Sequence, residues 1–540
     1  MVSLLVSVDA GRSLRRIQER VRGAQLQDAK QLLTNAGRQS FQHVTQGKIH
    51  QPLDHFHPRD RRSFPQTSVP PISFLQPSLS VQAAAALAVT SSVSSLSHFQ
   101  RFFVNEAFCR GPDGPVFLYI GGEGPIFEFD VLAGHHVDMA REHGALLLAL
   151  EHRFYGDSIN PDGLKTENLE NLSSKQALVL LPLLADLVAF HQHISQSFNL
   201  SQRNTWISFG GSYSGSLSAW FRGQFPHLVF GAVASSAPVK ATLDFSAYSD
   251  TVGLSLANEA VGGSAKCLDA VKEAFAAVEA ALMMGNVSQV ASDFGCCQTP
   301  KNLDDQIELM QELAGIFMGA VQYNEEGVFM SISDLCEVMT STNGTCQKAA
   351  DAYNRLVKLA QVYRSITEEP CLDVSHEKTL KDLMDTSPSP HAGRRSVRQW
   401  TYQTCTEFGF FQTCEDTTCP FSGMVTLQFE TEVCPTVFGV SRPSLARQIA
   451  FTNTYYGGDS PRTHRVLYIN GGIDPWKELS VTQDRSGDQV VFIEDTAHCA
   501  DMRSQRVTDR SSLQTARAEI ERHVTEWLKM ASQERRKEQK

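Results

Sequence analysis

The stretch Trp206-Ile-Ser-Phe-Gly-Gly-Ser-Tyr-Ser-Gly-Ser-Leu-Ser-Ala-Trp combines an apolar run, two adjacent glycines and a helical pattern. A strand that turns sharply into a helix in this way can hold a serine with its hydroxyl free to react, the arrangement called a nucleophile elbow. Gly210 and Gly211 bring no side chains to the turn before Ser212, and Gly215 lets the following helix come close to the strand. Ser212 is therefore the expected nucleophile. Ser214 stands where the G-x-S-x-G pattern has its last glycine, and a small residue there meets the same steric demand.

A serine hydroxyl becomes a good nucleophile only when a base takes its proton, and that base needs a carboxylate to orient it. In this kind of fold the carboxylate and then the histidine follow the serine along the chain, each on a loop after a late strand. Asp474, in Asn470-Gly-Gly-Ile-Asp-Pro-Trp, follows the apolar run 466–469, and His498, in Asp495-Thr-Ala-His-Cys-Ala-Asp, follows the run 490–493. Asp495, Asp501 and His464 compete for these roles, and Asp474 before Pro475 also suits an ordinary turn. The tetrahedral intermediate needs two backbone donors. The N–H of Tyr213 is one, and Gly122 or Glu123, in the Gly121-Gly-Glu-Gly-Pro loop, supplies the other. Trp476 and Tyr213 have the shape to wall an apolar slot, although each also suits a core.

These residues need a sheet to hold them. Short apolar runs at 116–120, 145–150 and 206–209 are each followed by a Gly-rich or charged loop and then a helical pattern, the alternation of a parallel α/β sheet. A fourth run at 231–235 and the two late runs at 466–469 and 490–493 continue it. Between the early and late groups lie helical patterns at 268–284 and 303–320. Leu513, Ala516, Ile520, Val524 and Leu528 give 512–530 one apolar face, so a C-terminal helix should pack back on the sheet. The expected organisation is a polar N-terminal segment over 1–45, read as a weak or truncated signal region, then a first part of the sheet domain over 46–240. A helical insertion over 241–440 and a second part of the sheet domain over 441–535 follow.

The chain has 540 residues, 42% hydrophobic and 20% charged, with 48 Lys plus Arg against 59 Asp plus Glu. That composition describes a globular protein, and the net charge of -11 disfavours nucleic acid as a partner. No run is long and apolar enough for a membrane span. Ten of the twelve cysteines lie between Cys267 and Cys434, with no C-x-x-C pair, so a disulfide-stapled region is expected rather than a metal site. Sequons at Asn171, Asn199, Asn286 and Asn343 agree with passage through the secretory pathway.

The elbow and its partner loops do not stand alone. With Gln51-Pro-Leu-Asp-His-Phe, Gly114-Pro-Val-Phe-Leu-Tyr-Ile-Gly-Gly-Glu-Gly, Glu151-His-Arg-Phe-Tyr-Gly, Ala234-Ser-Ser-Ala-Pro-Val and Trp400-Thr-Tyr-Gln-Thr-Cys-Thr-Glu-Phe-Gly, the chain resembles the prolyl carboxypeptidase and dipeptidyl peptidase II family of serine peptidases, in its thymus-type branch. The resemblance implies an α/β-hydrolase sheet with an inserted helical, cysteine-rich cap, and Ser212, Asp474 and His498 as the catalytic triad. It also implies exopeptidase action on short peptides beside proline, in endosomes or lysosomes or after secretion, without cofactor or metal. Glu407 and Trp476 become candidates for the substrate pocket, and a homodimer is allowed. Two segments depart from the family pattern. Residues 67–100 look inserted, so that Gln66 would join Arg101, and so do residues 179–184, which put Pro182 into an expected helix at a cost of about 3 kcal/mol. A carboxylesterase or lipase on the same scaffold and a catalytically silent binding protein are the rival expectations.

Overall fold

The computed structural model describes residues 11–35, 43–55, 99–159, 163–178, 186–324, 327, 329–341, 348–387, 396–485 and 487–538. Ten strands are present among them: β1 (Val44–His50), β2 (Phe99–Asn105), β3 (Val116–Ile120), β4 (Leu146–Leu150), β5 (Trp206–Gly211), β6 (Gly231–Ser235), β7 (Thr242–Asp244), β8 (Gly409–Phe411), β9 (Val466–Gly471) and β10 (Gln489–Ile493). Eight of them form one sheet in the order β1-β2-β4-β3-β5-β6-β9-β10. The β1–β2 and β2–β4 pairs are antiparallel, and every later pair is parallel. This is the α/β-hydrolase sheet. Its centre is built from strands such as Val-Phe-Leu-Tyr-Ile and Leu-Leu-Leu-Ala-Leu, buried at every position. Continuous apolar runs suit strands covered by helices on both faces. The C-terminal helix Ser511–Glu538 covers one face with Leu513, Ala516, Ile520, Val524 and Trp527. A Cβ on Gly231 would meet the Trp527 ring at 2.5 Å, so glycine at the start of β6 permits this packing.

The helical segment between β6 and β9 includes Ser246–Ala257, Ala265–Met283, Leu303–Gln322 and Lys348–Thr367. Strands β7 and β8 pair beneath it as a separate two-stranded sheet. All four disulfides found among the described residues staple this part of the chain: Cys267–Cys336, Cys297–Cys371, Cys405–Cys434 and Cys414–Cys419.

Two differences from the sequence expectations have physical causes. The inserted segment does not run to residue 100, because Phe99 and Gln100 belong to β2. Gln100 is buried and donates to the Glu151 carbonyl at 3.2 Å and to Asp186 Oδ2 at 2.9 Å. The rest of that segment, 67–98, and the segment 179–184 lie outside the described residues. The N-terminal part does not stand apart from the fold, because the helix Gly11–Asn35 buries Leu14, Ile17 and Val21 as one stripe. Ile17 sits over Gly319 of the helix Leu303–Gln322. At the start of the N-terminal helix the Glu312 carboxylate accepts from the Arg12 and Ser13 N–H groups at 2.6 and 2.9 Å. An anion at a helix N-terminus satisfies donors the helix cannot satisfy itself.

Two of the quoted segments turn out to be structural. Asp186, fully enclosed, receives Arg153 Nε and Nη2 at 2.6 Å each, His55 Nε2 at 2.9 Å and Gln100 Nε2 at 2.9 Å. Arg153 also donates to the Leu53 and Asn171 carbonyls, so it joins the Gln51–His55 stretch to the sheet. Burial alone would raise the Asp186 pKa, but the Arg153 guanidinium outweighs it and holds the carboxyl well below the usual range. We expect Asp186→Asn to destabilise the fold by roughly 3–5 kcal/mol, because it leaves a buried guanidinium without its charge partner. A depressed carboxyl contributes stability above its unfolded pKa of about 3.9 and loses it only as pH falls toward the folded value. Urea unfolding of wild type and variant should therefore give the same difference at pH 5 and pH 7, and a difference that vanishes at pH 5 would contradict the assignment.

Candidate active site

The carboxyl ends of β3, β5, β9 and β10 lie along one edge of the sheet, where open α/β sheets hold their ligands. Ser212 follows β5 directly with φ 62° and ψ −132°, a left-handed conformation that a serine adopts only when its surroundings enforce it. Enforcement is visible in the turn. A Cβ on Gly210 would lie 2.1 Å from the Ser214 carbonyl oxygen, and one on Gly215 would lie 2.8 Å from that of Ser235. Ser214 does more than stay small, because its Oγ accepts from Gly211 N–H at 3.0 Å and donates to the Gly211 carbonyl at 2.8 Å.

Three distant side chains converge here. His498 Nε2 lies 2.9 Å from Ser212 Oγ, and His498 Nδ1 lies 2.9 Å from both Asp474 oxygens. Exposure of Ser212 and Asp474 is 0%, and that of His498 is 2%. Gly471 allows the close approach of the two late loops, since a Cβ there would be 2.3 Å from the Thr496 carbonyl oxygen. Asp474 caps the short helix Pro475–Leu479, its Oδ1 accepting from Trp476 N–H at 3.0 Å. Burial by itself would depress the His498 pKa, but the adjoining Asp474 carboxylate drives it well above the ordinary imidazole value. A carboxylate on Nδ1 accepts the proton held there and leaves Nε2 facing the Ser212 hydroxyl.

The competitors are engaged elsewhere. Asp495 accepts from Asn258 at 2.8 Å, Asp501 accepts from the Ser235 hydroxyl at 2.5 Å, and His464 is exposed at the start of β9. Tyr213 opens the helix Tyr213–Gln224, so its N–H is a first-turn donor. Tyr119 of β3 pairs with Phe209 of β5, and continuing that register sets Gly122 level with Ser212. Gly122 and Glu123 are both buried.

Below the elbow, Tyr213 is held by its ring and hydroxyl. His152 Nδ1 is 2.8 Å from the Arg153 carbonyl, which only accepts, so Nδ1 carries the proton and Nε2 accepts from the Tyr213 hydroxyl at 3.1 Å. Burial pushes the His152 pKa down to about 4, in keeping with that neutral form. Gln403 Nε2 donates to the same hydroxyl at 3.1 Å and to Glu407 Oε2 at 3.0 Å. Glu407 also accepts from Ser174 N–H and Oγ–H, the latter at 2.7 Å, so it sits behind Tyr213 and does not touch Ser212 or His498. Burial raises its pKa. Trp476 lies 6.4 Å from the His498 ring, between Phe245, Tyr248 and Phe410. His152 and Gln403 fall inside two of the quoted segments without having been singled out there, whereas Tyr248 and Gln322 lie in none of them and are brought in by tertiary packing alone. Among the described residues there is no cluster of acidic, His or Cys side chains that could hold a metal, and no helix is long and apolar enough to cross a membrane.

Residues 92–520 match the family described as Serine carboxypeptidase S28. The chain belongs to the S28 family of serine peptidases. It is 42% identical to human (Homo sapiens) thymus-specific serine protease over 441 residues, which cover 81% of this chain and 84% of that protein. Mouse (Mus musculus) thymus-specific serine protease is 40% identical, with 90% of this chain and 87% of that protein covered. The bovine (Bos taurus) lysosomal Pro-X carboxypeptidase is 26% identical, with 79% and 84% covered. As an S28 peptidase the chain is a hydrolase.

Proposed function

We propose that this S28 peptidase is an exopeptidase that trims short peptides beside proline through an acyl-enzyme, with Ser212 as nucleophile, His498 as base and Asp474 as its orienting group. The observation that carries the reading is the unbroken line of hydrogen bonds from Asp474 through His498 to Ser212, 2.9 Å at each step. Ser212 attacks the scissile carbonyl carbon while His498 Nε2 takes the hydroxyl proton and then delivers it to the leaving amine. The oxyanion is met by the Tyr213 N–H and by the N–H of Gly122 or Glu123. Water, giving its proton to His498, attacks the acyl carbon and frees Ser212.

Proline preference draws support from the name of the Pro-X carboxypeptidase relative. The disulfides favour an oxidising compartment, with endosomes, lysosomes or secretion as the destination. Asn199 and Asn286 are exposed and Asn171 partly so, which suits glycosylation, while Asn343 lies outside the described residues.

Peptides with proline second from the carboxyl end, or second from the amino end, provide the test, read by mass spectrometry. The expected result is release of the terminal residue or dipeptide next to proline. Turnover of simple acyl esters with no peptide cleaved would replace the peptidase reading by a carboxylesterase.

A further inference from the structure

The helix Leu303–Gln322 of the cap ends against both catalytic loops. Its last residue, Gln322, has 0% exposure and engages each of them. The Gln322 carbonyl accepts from His498 N–H at 3.2 Å. Its side-chain Oε1 accepts from Trp476 Nε1–H at 3.1 Å and from the Tyr248 hydroxyl at 2.6 Å, while Nε2 donates to the Tyr323 hydroxyl at 2.6 Å. Trp476 is two residues past Asp474 and gives its own N–H to the Asp474 carboxylate. One residue of the cap therefore touches the loop of the base and the loop of its carboxylate, though it lies 110 positions beyond Ser212 in the sequence.

We propose that Gln322 is a positioning residue for the triad, locking the Asp474 and His498 loops in the one arrangement that makes His498 a base toward Ser212. The proposal rests on the triad reading given above. Two considerations make the lock necessary. The imidazole must meet Ser212 on one side and Asp474 on the other at 2.9 Å together, and such a geometry is productive only within a few tenths of an ångström. The turn that carries it is strained, with Asp495 at φ 53° and Cys499 at φ 54°, and strain of that kind persists only where neighbours hold it. The Ser236 hydroxyl holds one side through Cys499 N–H at 2.9 Å, and Gln322 holds the other.

Electrostatics adds to the geometry. Gln322 is the C-terminal residue of a 20-residue helix, where unpaired carbonyls concentrate partial negative charge. His498 becomes an imidazolium as Ser212 attacks, so the helix end favours the charge that develops there. A buried amide is costly unless its polar atoms are matched, and both the oxygen and the nitrogen of Gln322 are.

Gln322→Met keeps the length and volume of the side chain and removes its acceptor, whereas Gln322→Glu restores an acceptor toward Trp476 and Tyr248. The Met variant is expected to lose about 10- to 100-fold in kcat and in the rate of fluorophosphonate labelling, with KM within about threefold, and the Glu variant to regain most of that loss. Wild-type kcat in the Met variant, or a raised KM with kcat unchanged, would overturn the proposal and leave Gln322 as packing. If the Met variant does not fold, Tyr248→Phe removes one donor from Oε1 and should lower kcat about threefold at constant KM, the scale of one neutral hydrogen bond. An unchanged kcat there also overturns it. Equal labelling of wild type and Ser212→Ala is a different result, one that would sink the triad reading itself.

Discussion

Ser212→Ala is expected to lower kcat/KM for a peptide substrate by a factor on the order of 10⁵ to 10⁶, and to abolish covalent labelling by an active-site fluorophosphonate. The size follows from the loss of the only atom that bonds to the acyl carbon, with the oxyanion donors and substrate contacts left to provide the remaining rate. The substitution removes one oxygen from a fully buried site and leaves the backbone conformation as strained for alanine as it was for serine, so melting temperature should change little. Neighbouring serines are poor stand-ins. The Ser214 hydroxyl is turned back onto Gly211, and Ser208 and Ser218 are bonded to each other at 2.8 Å. Mass spectrometry of the labelled peptide reads the site directly. Undiminished labelling in the alanine variant would remove Ser212 from the mechanism.

What could be read from the sequence depended on whether the physics was local. The elbow is local, since Gly210, Ser212 and Gly215 act within one turn, and their spacing sufficed to expect the tight strand-to-helix turn at Ser212. Strands β3 and β4 were equally plain, because burial on both faces demands uninterrupted apolar residues. Strand β2 was harder. Its Phe-Gln-Arg-Phe-Phe-Val-Asn carries Gln100 and Arg101 into the fold, and partners far along the chain such as Asp186 and Glu151 make that acceptable. Strand β1 pairs with it across a long separation, and Gly47 is small because the Phe102 ring lies against it. The N-terminal helix hid its three-residue apolar stripe among polar residues such as Arg12, whose backbone N–H and guanidinium meet Glu312 and Asp373 in the cap. Disulfide pairing was out of reach for a similar reason. Cys296 and Cys297 are adjacent in sequence, yet among the described residues Cys297 bonds Cys371 and Cys296 is free, its backbone bridged to Leu372. Glu407 was placed near the substrate by resemblance and stands one layer behind Tyr213.

Asp474→Asn should reduce kcat by about 10⁴-fold while leaving the fold intact, and should move the acid limb of the pH–rate profile. In the wild type His498 Nδ1 donates to a carboxylate that accepts through both oxygens, which keeps Nε2 free to take the Ser212 proton. An asparagine presents an NH₂ to Nδ1 in one of its two orientations, which drives the histidine into the tautomer that carries its proton on Nε2. That form cannot act as the base. The pH effect has a definite sign. Of the two leading influences on His498, burial lowers its pKa and the Asp474 carboxylate raises it, with the carboxylate prevailing. Activity requires the neutral imidazole, so wild-type kcat/KM should rise with pH and reach half its maximum above the ordinary histidine value of about 6.5. Removing the charge takes away the largest influence that raises the His498 pKa, so the residual activity of the variant should reach half its maximum at a lower pH than that of the wild type. A matched Asp501→Asn variant separates the two buried carboxylates, since Asp501 bonds Ser235 and its loss should leave the limb where it was. If the limb stays put in Asp474→Asn and shifts in Asp501→Asn, Asp501 is the carboxylate that the base senses.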